Sequence, residues 1–488
     1  MNSAPVIVWL RNDFRLRDHP ALNAAVATGS PVIPLYILDD ETPGRWALGG
    51  ASRWWLGKTI EAFGRDIAAC GGKLILRRGA VARELKRVVE ETGATAVYFT
   101  RSYEPSAVAL EDQLKLAFDD AGVAFKRYGG RLLRQPEEVR TKTGGAYQVF
   151  TPFWRAFTKD LTLPRALAAP DRIKAPSRAP RSDDLRDWQL FPTKPDWSGG
   201  LEKTWQPGES GARARLAEFT KTGLATYAID RNHLDKDGTS RLSPHLAFGE
   251  ISPAACWRAA ADAARGKSAN DQSIETFMRE LVWREFSYSL LFHFPKLPEE
   301  PLREEFAKFP WLGDAGQLKA WQRGNTGYPI VDAGMRELWA TGYMHNRARM
   351  IVASFLVKHL LIPWTAGEAW FWDTLVDADL ANNSASWQWV AGCGADAAPY
   401  FRIFNPVLQG EKFDQNGEYV RRWVPELADL AADAIHKPWT VSAETLAQAG
   451  VVLGKSYPRP LVDHAHARVR ALQAYEQIKS TSKKENLD

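Results

Sequence analysis

The sequence has few cysteines and no long apolar run. Its three cysteines, Cys70, Cys256 and Cys393, lie far apart in a chain of 488 residues. They cannot form a disulfide framework or, alone, a four-thiolate zinc site, and a reducing cytoplasm is the expected compartment. The most apolar stretch, residues 350–364, contains a lysine and a histidine and is shorter than the roughly 18 residues of a membrane helix. We therefore expect neither a disulfide-rich secreted protein nor a membrane protein, and the first residues predict no signal peptide.

Charge and aromatic content are less specific indicators. The chain has 63 Lys and Arg residues against 58 Asp and Glu residues, which is a net charge of +5. This mild basic excess is compatible with a polyanionic partner but identifies none. There are 20 tryptophans. A large aromatic core is the favoured explanation, and stacking of the rings on ligands or bases is the alternative. The length predicts two or three domains.

The first 130 residues alternate between strand and helix patterns. Short apolar runs occur at 6–10, 32–38, 74–76, 96–100 and 123–125. Longer amphipathic stretches, such as 80–91 and 106–121, lie between them. This alternation predicts a parallel sheet with helices on both faces. No glycine-rich turn follows the first run, so the predicted α/β domain is Rossmann-like without the dinucleotide-binding fingerprint.

The rest of the chain changes character twice. Seven prolines between residues 163 and 207 predict a long, mostly extended linker. Beyond residue 210 the apolar periodicity is helical, most clearly at 330–339, 347–361 and 367–375, and we expect no strand-rich segment there. The predicted fold class is an α/β N-terminal domain with a parallel sheet plus an all-α C-terminal domain. The predicted divisions are the α/β domain 1–130, the linker 131–207, the helical domain 208–480 and a loose tail 481–488.

Two polar clusters open the helical half. Residues 237–244, Asp-Gly-Thr-Ser-Arg-Leu-Ser-Pro, combine hydroxyls, backbone N–H groups and an arginine, which suits a phosphate. The alternative is an ordinary helix start at Ser243. Glu280, Trp283 and Arg284 share a helical face, where they could hydrogen-bond a base edge, stack on it and pair with a phosphate. The alternative is a surface Glu–Arg pair beside a core tryptophan.

Two further clusters follow. Residues 343–350, Tyr-Met-His-Asn-Arg-Ala-Arg-Met, open an apolar helix with Asn346, Arg349 and Met350 on one face. A cation there needs partners, because an unpaired buried charge is costly. Residues 377–389 contain two acids, two amides and two indoles, which suit a heterocycle and a sugar. No histidine or cysteine spacing supports a metal site, so we expect none. Alone, these clusters predict a polar ligand site in a helical domain.

Taken together, the four clusters resemble the photolyase/cryptochrome family of blue-light flavoproteins, most closely a bacterial cyclobutane pyrimidine dimer photolyase. The similarity also includes residues 8–19, 147–153, 327–333 and 396–406. It implies that the helical domain binds FAD. The residues that match the FAD site of the family are Tyr227, Thr239, Ser240, Arg241, Leu242, Ser243, Phe277, Arg349, Asp377, Ala378, Asp379 and Asn383.

The resemblance also implies individual roles. The hydroxyl-rich segment cradles the FAD phosphates, and Arg349 pairs with Asp377. The residue that faces flavin N5 is assigned to Asn383 rather than Asn382, because Asn383 lies four residues before Trp387. An amide at this position favours the reduced flavin. The electron-transfer chain of the family corresponds here to Trp387, Trp364 and Trp311. The lesion- and DNA-binding set is matched by Glu280, Trp283, Arg284, Asn346, Arg347, Met350 and Trp389, with Glu280 and Asn383 as the catalytic pair.

The resemblance implies light-driven splitting of cyclobutane dimers in UV-damaged DNA. The expected active form is a monomer that binds the DNA mainly through its phosphates. A (6-4) photolyase would carry a second histidine at the position of Asn346. A cryptochrome often adds a long C-terminal tail, whereas only a short loose end is expected here, but a short-tailed cryptochrome remains an alternative. The expected antenna is methenyltetrahydrofolate, to which we assign no residues because Tyr103-Glu-Pro lacks the usual Asn-Glu. Rivals from other classes are a light-independent flavin or nucleotide-binding signalling protein and a plain nucleic-acid binder.

Overall fold

The computed structural model describes residues 4–266, 269–397 and 401–485. The chain divides into two compact units, each built from three segments. The first unit contains residues 1–225, 240–295 and 376–381, and the second contains 226–239, 296–375 and 382–488. The predicted boundary after residue 207 therefore does not coincide with a boundary between units. A long helix continues to Glu485, so most of the predicted loose tail is helical, and residues 486–488 lie outside the described part.

The first unit contains a five-stranded parallel sheet, as predicted. Its strands are β1 Val6–Leu10, β2 Val32–Leu38, β3 Ile75–Arg78, β4 Ala96–Thr100 and β5 Ala124–Tyr128. The strand order is β3-β2-β1-β4-β5, with β1 paired to both β2 and β4. This is the doubly wound order, in which the helical crossovers cover both faces of the sheet.

Both faces of the sheet are buried. In β1, Val6, Val8 and Leu10 belong to one hydrophobic core, whereas Ile7 and Trp9 belong to the core on the other face. Alternate side chains of a strand point to opposite faces, so a strand that is apolar throughout requires cover on both sides. The short apolar runs of the sequence follow from this requirement.

Helices and irregular segments complete the first unit. Its helices are Pro20–Ala27, Gly50–Ala69, Val81–Thr92, Pro105–Asp120, Phe150–Lys159, Gly199–Thr204, Glu209–Glu218, Ser243–Ala247, Pro253–Arg265 and Asp271–His293, with a π-helical turn at Phe219–Gly223 and short 3₁₀ turns at Gly44–Trp46, Pro136–Glu138 and Leu185–Trp188. A further 3₁₀ turn, Leu224–Thr226, begins in this unit and ends at the first residue of the second.

The predicted linker packs within the first unit. It is largely irregular between residues 160 and 198, as its prolines indicate. However, Ile173, Trp188 and Leu190 are buried in a core of the sheet, and the helix Phe150–Lys159 buries three phenylalanines. Isolated apolar side chains among prolines have no periodicity, so the sequence pattern did not reveal that this segment is docked.

The second unit is helical. Its helices are Tyr227–Asp230, Ala315–Gln322, Pro329–Thr341, Asn346–Ser354, Trp364–Thr374, Pro406–Phe413, Glu418–Trp423, Ala432–Ile435, Ala443–Gln448 and His464–Glu485, with a π-helical turn at Phe355–His359 and 3₁₀ turns at Glu304–Lys308, Pro425–Leu427 and Pro438–Thr440. The helix Leu380–Ala391 contributes residues to both units. In the described part of the chain, an isolated bridge between Leu453 and Tyr457 is all the β structure found after residue 128. The expected all-helical character is confirmed.

Lys358 is an unusual core residue of the second unit. It is only 1% exposed, its Nζ donates to the carbonyl oxygen of Ala391 at 2.6 Å, and it lies 3.0 Å from the ring centroid of Phe401. Because burial penalises the ammonium form, the pKa of Lys358 is well below the ordinary lysine value of 10.5. The folded chain therefore holds a neutral amine at pH values where the unfolded chain holds a cation.

We expect the wild type to gain stability relative to Lys358→Met as pH rises from 7 to 9. In the window between the lowered pKa and 10.5, the unfolded state binds one more proton than the folded state. Linkage then raises the free energy of unfolding with pH, by up to about 1.4 kcal/mol per pH unit, and methionine lacks this contribution. Urea unfolding at several pH values measures the difference. The exposed Lys319→Met is the control, and an unchanged difference between wild type and Lys358→Met across this range would contradict the prediction.

Candidate functional site

The hydroxyl-rich segment lies at the start of a short helix. In the first unit, Ser240 is half-buried and Ser243 is exposed, and the backbone oxygen of Ser240 accepts a hydrogen bond from Nε of Arg215 at 2.9 Å. Arg241 has a φ of +50°, which makes the chain turn sharply before the helix Ser243–Ala247. Leu242 occupies the N-cap position and no side chain caps this helix. The helix does begin at Ser243, as the alternative expects, although neither serine hydroxyl serves as its cap, and the phosphate interpretation stays a prediction.

A buried acid anchors this segment. Glu250 is fully buried and its carboxylate contacts Nδ1 of His245 at 2.5 Å. Its other oxygen accepts hydrogen bonds from the indole of Trp55 at 3.1 Å and the hydroxyl of Thr59 at 2.5 Å. Because a buried carboxylate needs such partners, the helix after the hydroxyl-rich segment is held firmly against the helix Gly50–Ala69.

The helix Asp271–His293 carries the second cluster, and its side chains differ in exposure. Glu280 and Trp283 are half-buried. Trp283 stacks face to face on Phe150, with ring centroids 3.7 Å apart and an interplanar angle of 5°. Arg284 is only 8% exposed and donates to the backbone oxygen of Arg131 at 2.9 Å. The prediction that Arg284 holds a DNA phosphate needs correction, because its guanidinium is directed into the first unit.

A buried polar network surrounds Asp379 in the first unit. The hydroxyl of Tyr288 donates to the Asp379 carboxylate, and Nη2 of Arg131 donates to that hydroxyl at 2.6 Å. Arg131 also lies 3.7 Å from Asp379 and 2.7 Å from Glu104. Burial alone would lower the pKa of Arg131, but Glu104, Tyr288 and Asp379 raise it overall. Burial also raises the pKa of Tyr288, so the phenol stays protonated and Asp379 is oriented as a hydrogen-bond acceptor.

The first-unit residues Asp377, Ala378 and Phe277 are also assigned to FAD. Asp377 is 9% exposed and Ala378 is half-buried. Phe277 is buried, with its ring centroid 5.0 Å from that of Phe219. The ion pair of Asp377 with Arg349 stays a prediction.

In the second unit, Asn383 is held by a neighbouring helix. Its Nδ2 donates to the backbone oxygen of Glu368 at 3.0 Å, and the hydroxyl of Ser384 donates to Oε1 of Glu368 at 2.5 Å. All three residues are at least 90% buried. The hydrogen bond to Glu368 therefore holds the amide of Asn383 in one orientation.

Two further FAD candidates of the second unit, Thr239 and Arg349, lie near Tyr343. Its hydroxyl is 3.5 Å from Oγ1 of Thr239, and the guanidinium of Arg349 lies 5.2 Å from its ring centroid. Nε of Arg349 donates to the backbone oxygen of Met344 at 2.7 Å. Tyr227 is buried, with the guanidinium of Arg231 5.5 Å from its ring centroid. These contacts fix the orientations of Arg349 and Tyr227.

Trp387 lies in a tightly packed aromatic environment. It is 2% exposed, and its ring centroid lies 5.0 Å from that of Phe371 and 6.2 Å from that of Trp321. A Cβ atom at Gly367 would approach the indole of Trp387 to 2.1 Å, so only glycine fits there. Of the other two predicted relay tryptophans, Trp364 is buried, whereas Trp311 is half-exposed.

The remaining lesion candidates lie in the second unit. Asn346 is exposed at the start of its helix and Met350 is half-buried. Arg347 donates to Oδ1 of Asn232 at 2.6 Å, and its guanidinium lies 4.4 Å from the ring centroid of Phe413. The indole of Trp389 donates to the backbone oxygen of Asp396 at 3.0 Å and borders an open cleft of about 370 Å³.

Several residues that position the candidates were missed from the sequence. Arg131 and Tyr288 hold Asp379, Glu368 holds Asn383, and Phe150 covers Trp283. Phe150 lies in the segment 147–153 that carried part of the resemblance, which was its only signal. The others are separated from their partners by many residues, and no local pattern links them.

The described residues offer neither a metal cluster nor a membrane-spanning helix. No group of three histidine, cysteine, aspartate or glutamate side chains is arranged to hold a metal ion in that part of the chain. None of the helices described there is both long and apolar enough to cross a membrane.

Comparisons with known proteins agree with the resemblance. The family model described as DNA photolyase matches residues 6–175, and that described as FAD binding domain of DNA photolyase matches residues 277–477. The chain is 51% identical to the deoxyribodipyrimidine photo-lyase of Agrobacterium fabrum, across 99% of this chain and 100% of that protein. A crystal structure of a bacterial class III photolyase from Agrobacterium tumefaciens is similar, with a TM-score of 0.95, 50% identity and 98% coverage of both chains. Cryptochrome-1 of Arabidopsis thaliana is 37% identical, across 97% of this chain and 70% of that protein.

We expect Gly367→Ala to lower the free energy of unfolding by about 1–3 kcal/mol, because the added methyl group overlaps the indole of Trp387. Urea denaturation followed by tryptophan fluorescence measures the change. Gly313→Ala is the matched control, since no atom lies within 4 Å of a Cβ at that position. Equal stabilities of the two variants would show that the packing around Trp387 is looser than described.

Proposed function

Because this chain belongs to the DNA photolyase family, we propose that it repairs DNA in a light-dependent reaction that splits cyclobutane pyrimidine dimers. The observation that carries the proposal is the pair of half-buried side chains, Glu280 and Trp283, on the helix Asp271–His293. A carboxylate and an indole at this spacing offer one group for the polar edge of a damaged base and one ring for its face. The resemblance assigns both residues to the lesion pocket.

The lesion is bound outside the duplex in this proposal. The reactive bonds of a dimer are inaccessible within the base stack, and unstacking costs least for a damaged pair. Asn346, Met350 and Trp389 contribute a polar group, a flexible apolar side chain and a second indole. Arg347 holds a phosphate without reading sequence. Arg284 is omitted from this set because of its burial.

The candidate cofactor residues suit FAD in their chemistry. The serine hydroxyls near residue 240 are not used as helix caps, Asp379 is an oriented acceptor, and the amide of Asn383 is held by Glu368. When bound, reduced and excited by blue light, FAD supplies an electron that opens the dimer ring and recovers it afterwards. As a protonated carboxyl group, Glu280 would donate a hydrogen bond to a carbonyl oxygen of the pyrimidine and so stabilise the negative charge that develops on the lesion.

Trp387, Trp364 and Trp311 form the proposed relay that keeps the cofactor reduced. Their burial decreases in this order, from 2% exposure for Trp387 and 4% for Trp364 to half-exposure for Trp311. A relay that draws electrons from outside needs one indole within reach of solvent and the others shielded from it. The gradient of burial supports the assignment.

Finer aspects of the proposal follow the resemblance. Asn346 stands where a (6-4) photolyase carries a histidine, which favours cyclobutane dimers. We propose methenyltetrahydrofolate as the antenna, a monomer as the active form and the cytoplasm as the compartment. A short-tailed cryptochrome is the second candidate, supported by the 37% identity to a plant cryptochrome.

We expect the reduced protein to restore thymine absorbance in an oligonucleotide with a single cyclobutane dimer, only under blue light. A (6-4) substrate and a dark sample are the controls. Absence of repair by protein that retains reducible FAD would favour the cryptochrome alternative.

Glu280→Ala is expected to lower the repair rate about tenfold or more while FAD content is retained, since a hydrogen bond to a developing charge is lost. Repair by the reduced variant under saturating light is the measurement. Glu275→Ala, an exposed acid on the same helix, is the control. Loss of FAD in Glu280→Ala would indicate a structural role for Glu280 instead.

Trp387→Phe should slow photoreduction by about tenfold or more, because a phenyl ring is much harder to oxidise than an indole, and should leave repair by chemically reduced protein unchanged. Flavin absorbance during illumination with a thiol donor follows the first quantity, and the dimer assay follows the second. A variant that photoreduces at the wild-type rate would remove Trp387 from the relay.

A further inference from the structure

Phe150 lies in the segment 147–153, which has no role in the function proposed above. It opens the helix Phe150–Lys159 and is only 2% exposed. This helix packs against the helix Asp271–His293, which carries Glu280 and Trp283. The segment is thus a direct neighbour of the proposed lesion-binding residues of the first unit.

Three aromatic rings form a rigid group at this contact. Phe150 and Trp283 are parallel, with centroids 3.7 Å apart and planes inclined by 5°. Phe286 meets both rings edge-on, at 5.9 Å and 71° from Phe150 and at 5.8 Å and 73° from Trp283. Phe286 is itself only 1% exposed. Stacked and edge-on contacts together restrain the position and the tilt of the indole.

The arrangement leaves Trp283 with one accessible face. Phe150 covers one side of the indole, yet the side chain is only half-buried, so its exposed surface belongs to the other face and the rim. A ring that is already held in one orientation loses little conformational freedom when a base stacks on it. Its affinity for a planar ligand therefore exceeds that of a mobile tryptophan.

We propose that Phe150 is a positioning residue for lesion recognition, which holds Trp283 as a one-sided stacking platform for the flipped dimer. This inference rests on the proposed repair function. Phe150 touches Trp283 and not the DNA, so it raises affinity for the lesion and does not take part in the chemistry. The consequence is a specific loss in dimer binding when its ring is removed.

The test compares Phe150→Leu with Phe153→Leu. Both remove a buried phenylalanine ring from the same helix, and Phe153 packs on Phe286 and Phe157. Phe150→Tyr serves as the rescue variant because it keeps the aromatic ring. For each protein, fluorescence anisotropy gives the dissociation constant for an oligonucleotide with one cyclobutane dimer and for the same oligonucleotide without damage. Repair per flash at saturating DNA and the thermal midpoint are measured in parallel.

We expect Phe150→Leu to bind the dimer oligonucleotide about fivefold more weakly, the loss expected for one aromatic pair, with unchanged affinity for undamaged DNA. Repair per flash at saturation stays at the wild-type level, and Phe150→Tyr restores dimer affinity. Phe153→Leu keeps wild-type dimer affinity despite a similar drop in thermal midpoint.

Two results would overturn the proposal. Wild-type dimer affinity in Phe150→Leu would show that Trp283 needs no support, and an equal loss in Phe153→Leu would show that any damage to this helix has the same effect. Failure of the proposed function itself is visible separately, because the wild type would then not distinguish damaged from undamaged DNA.

Discussion

The polar interior of the first unit depends on the interactions of one buried group, the guanidinium of Arg131. It pairs with Glu104 and donates to Tyr288, which in turn donates to Asp379. Removing one partner from such a buried arrangement leaves an uncompensated charge, at a cost of about 3–5 kcal/mol. The acceptor geometry of Asp379 is therefore maintained by residues that lie more than 90 positions away in the chain.

The same part of the chain orients the helix that carries the proposed lesion-binding residues Glu280 and Trp283. Backbone N–H groups of Leu133 and Arg134 donate to the carboxylate of Glu285 on the helix Asp271–His293. Burial raises the pKa of Glu285 to about 7, which reflects how completely this side of the helix is enclosed. Glu280 and Trp283 are only half-buried on the same helix, and the contact with Phe150 adds a second constraint on the indole.

In the second unit a single helix, Trp364–Thr374, positions two of the proposed functional groups. Gly367 and Phe371 shape the space occupied by Trp387, and the backbone oxygen of Glu368 orients the amide of Asn383. The amide of Asn383 and the indole of Trp387, the proposed relay ring, are thus positioned by the same helix. A distortion of this helix is expected to affect both groups.

The sequence by itself determined the element types and the family: β1 is apolar at every position because parallel strands are buried on both faces, and long 3.6-residue periodicities require helices. It also identified Asn383 and Trp387 as candidates through their motif. Only the tertiary structure decided that residues 163–207 are docked, that Arg284 is buried, and that Arg131, Glu368 and Phe150 support the candidate sites. Local patterns report which face of an element is buried, whereas partners distant in the chain meet only when the whole chain has packed.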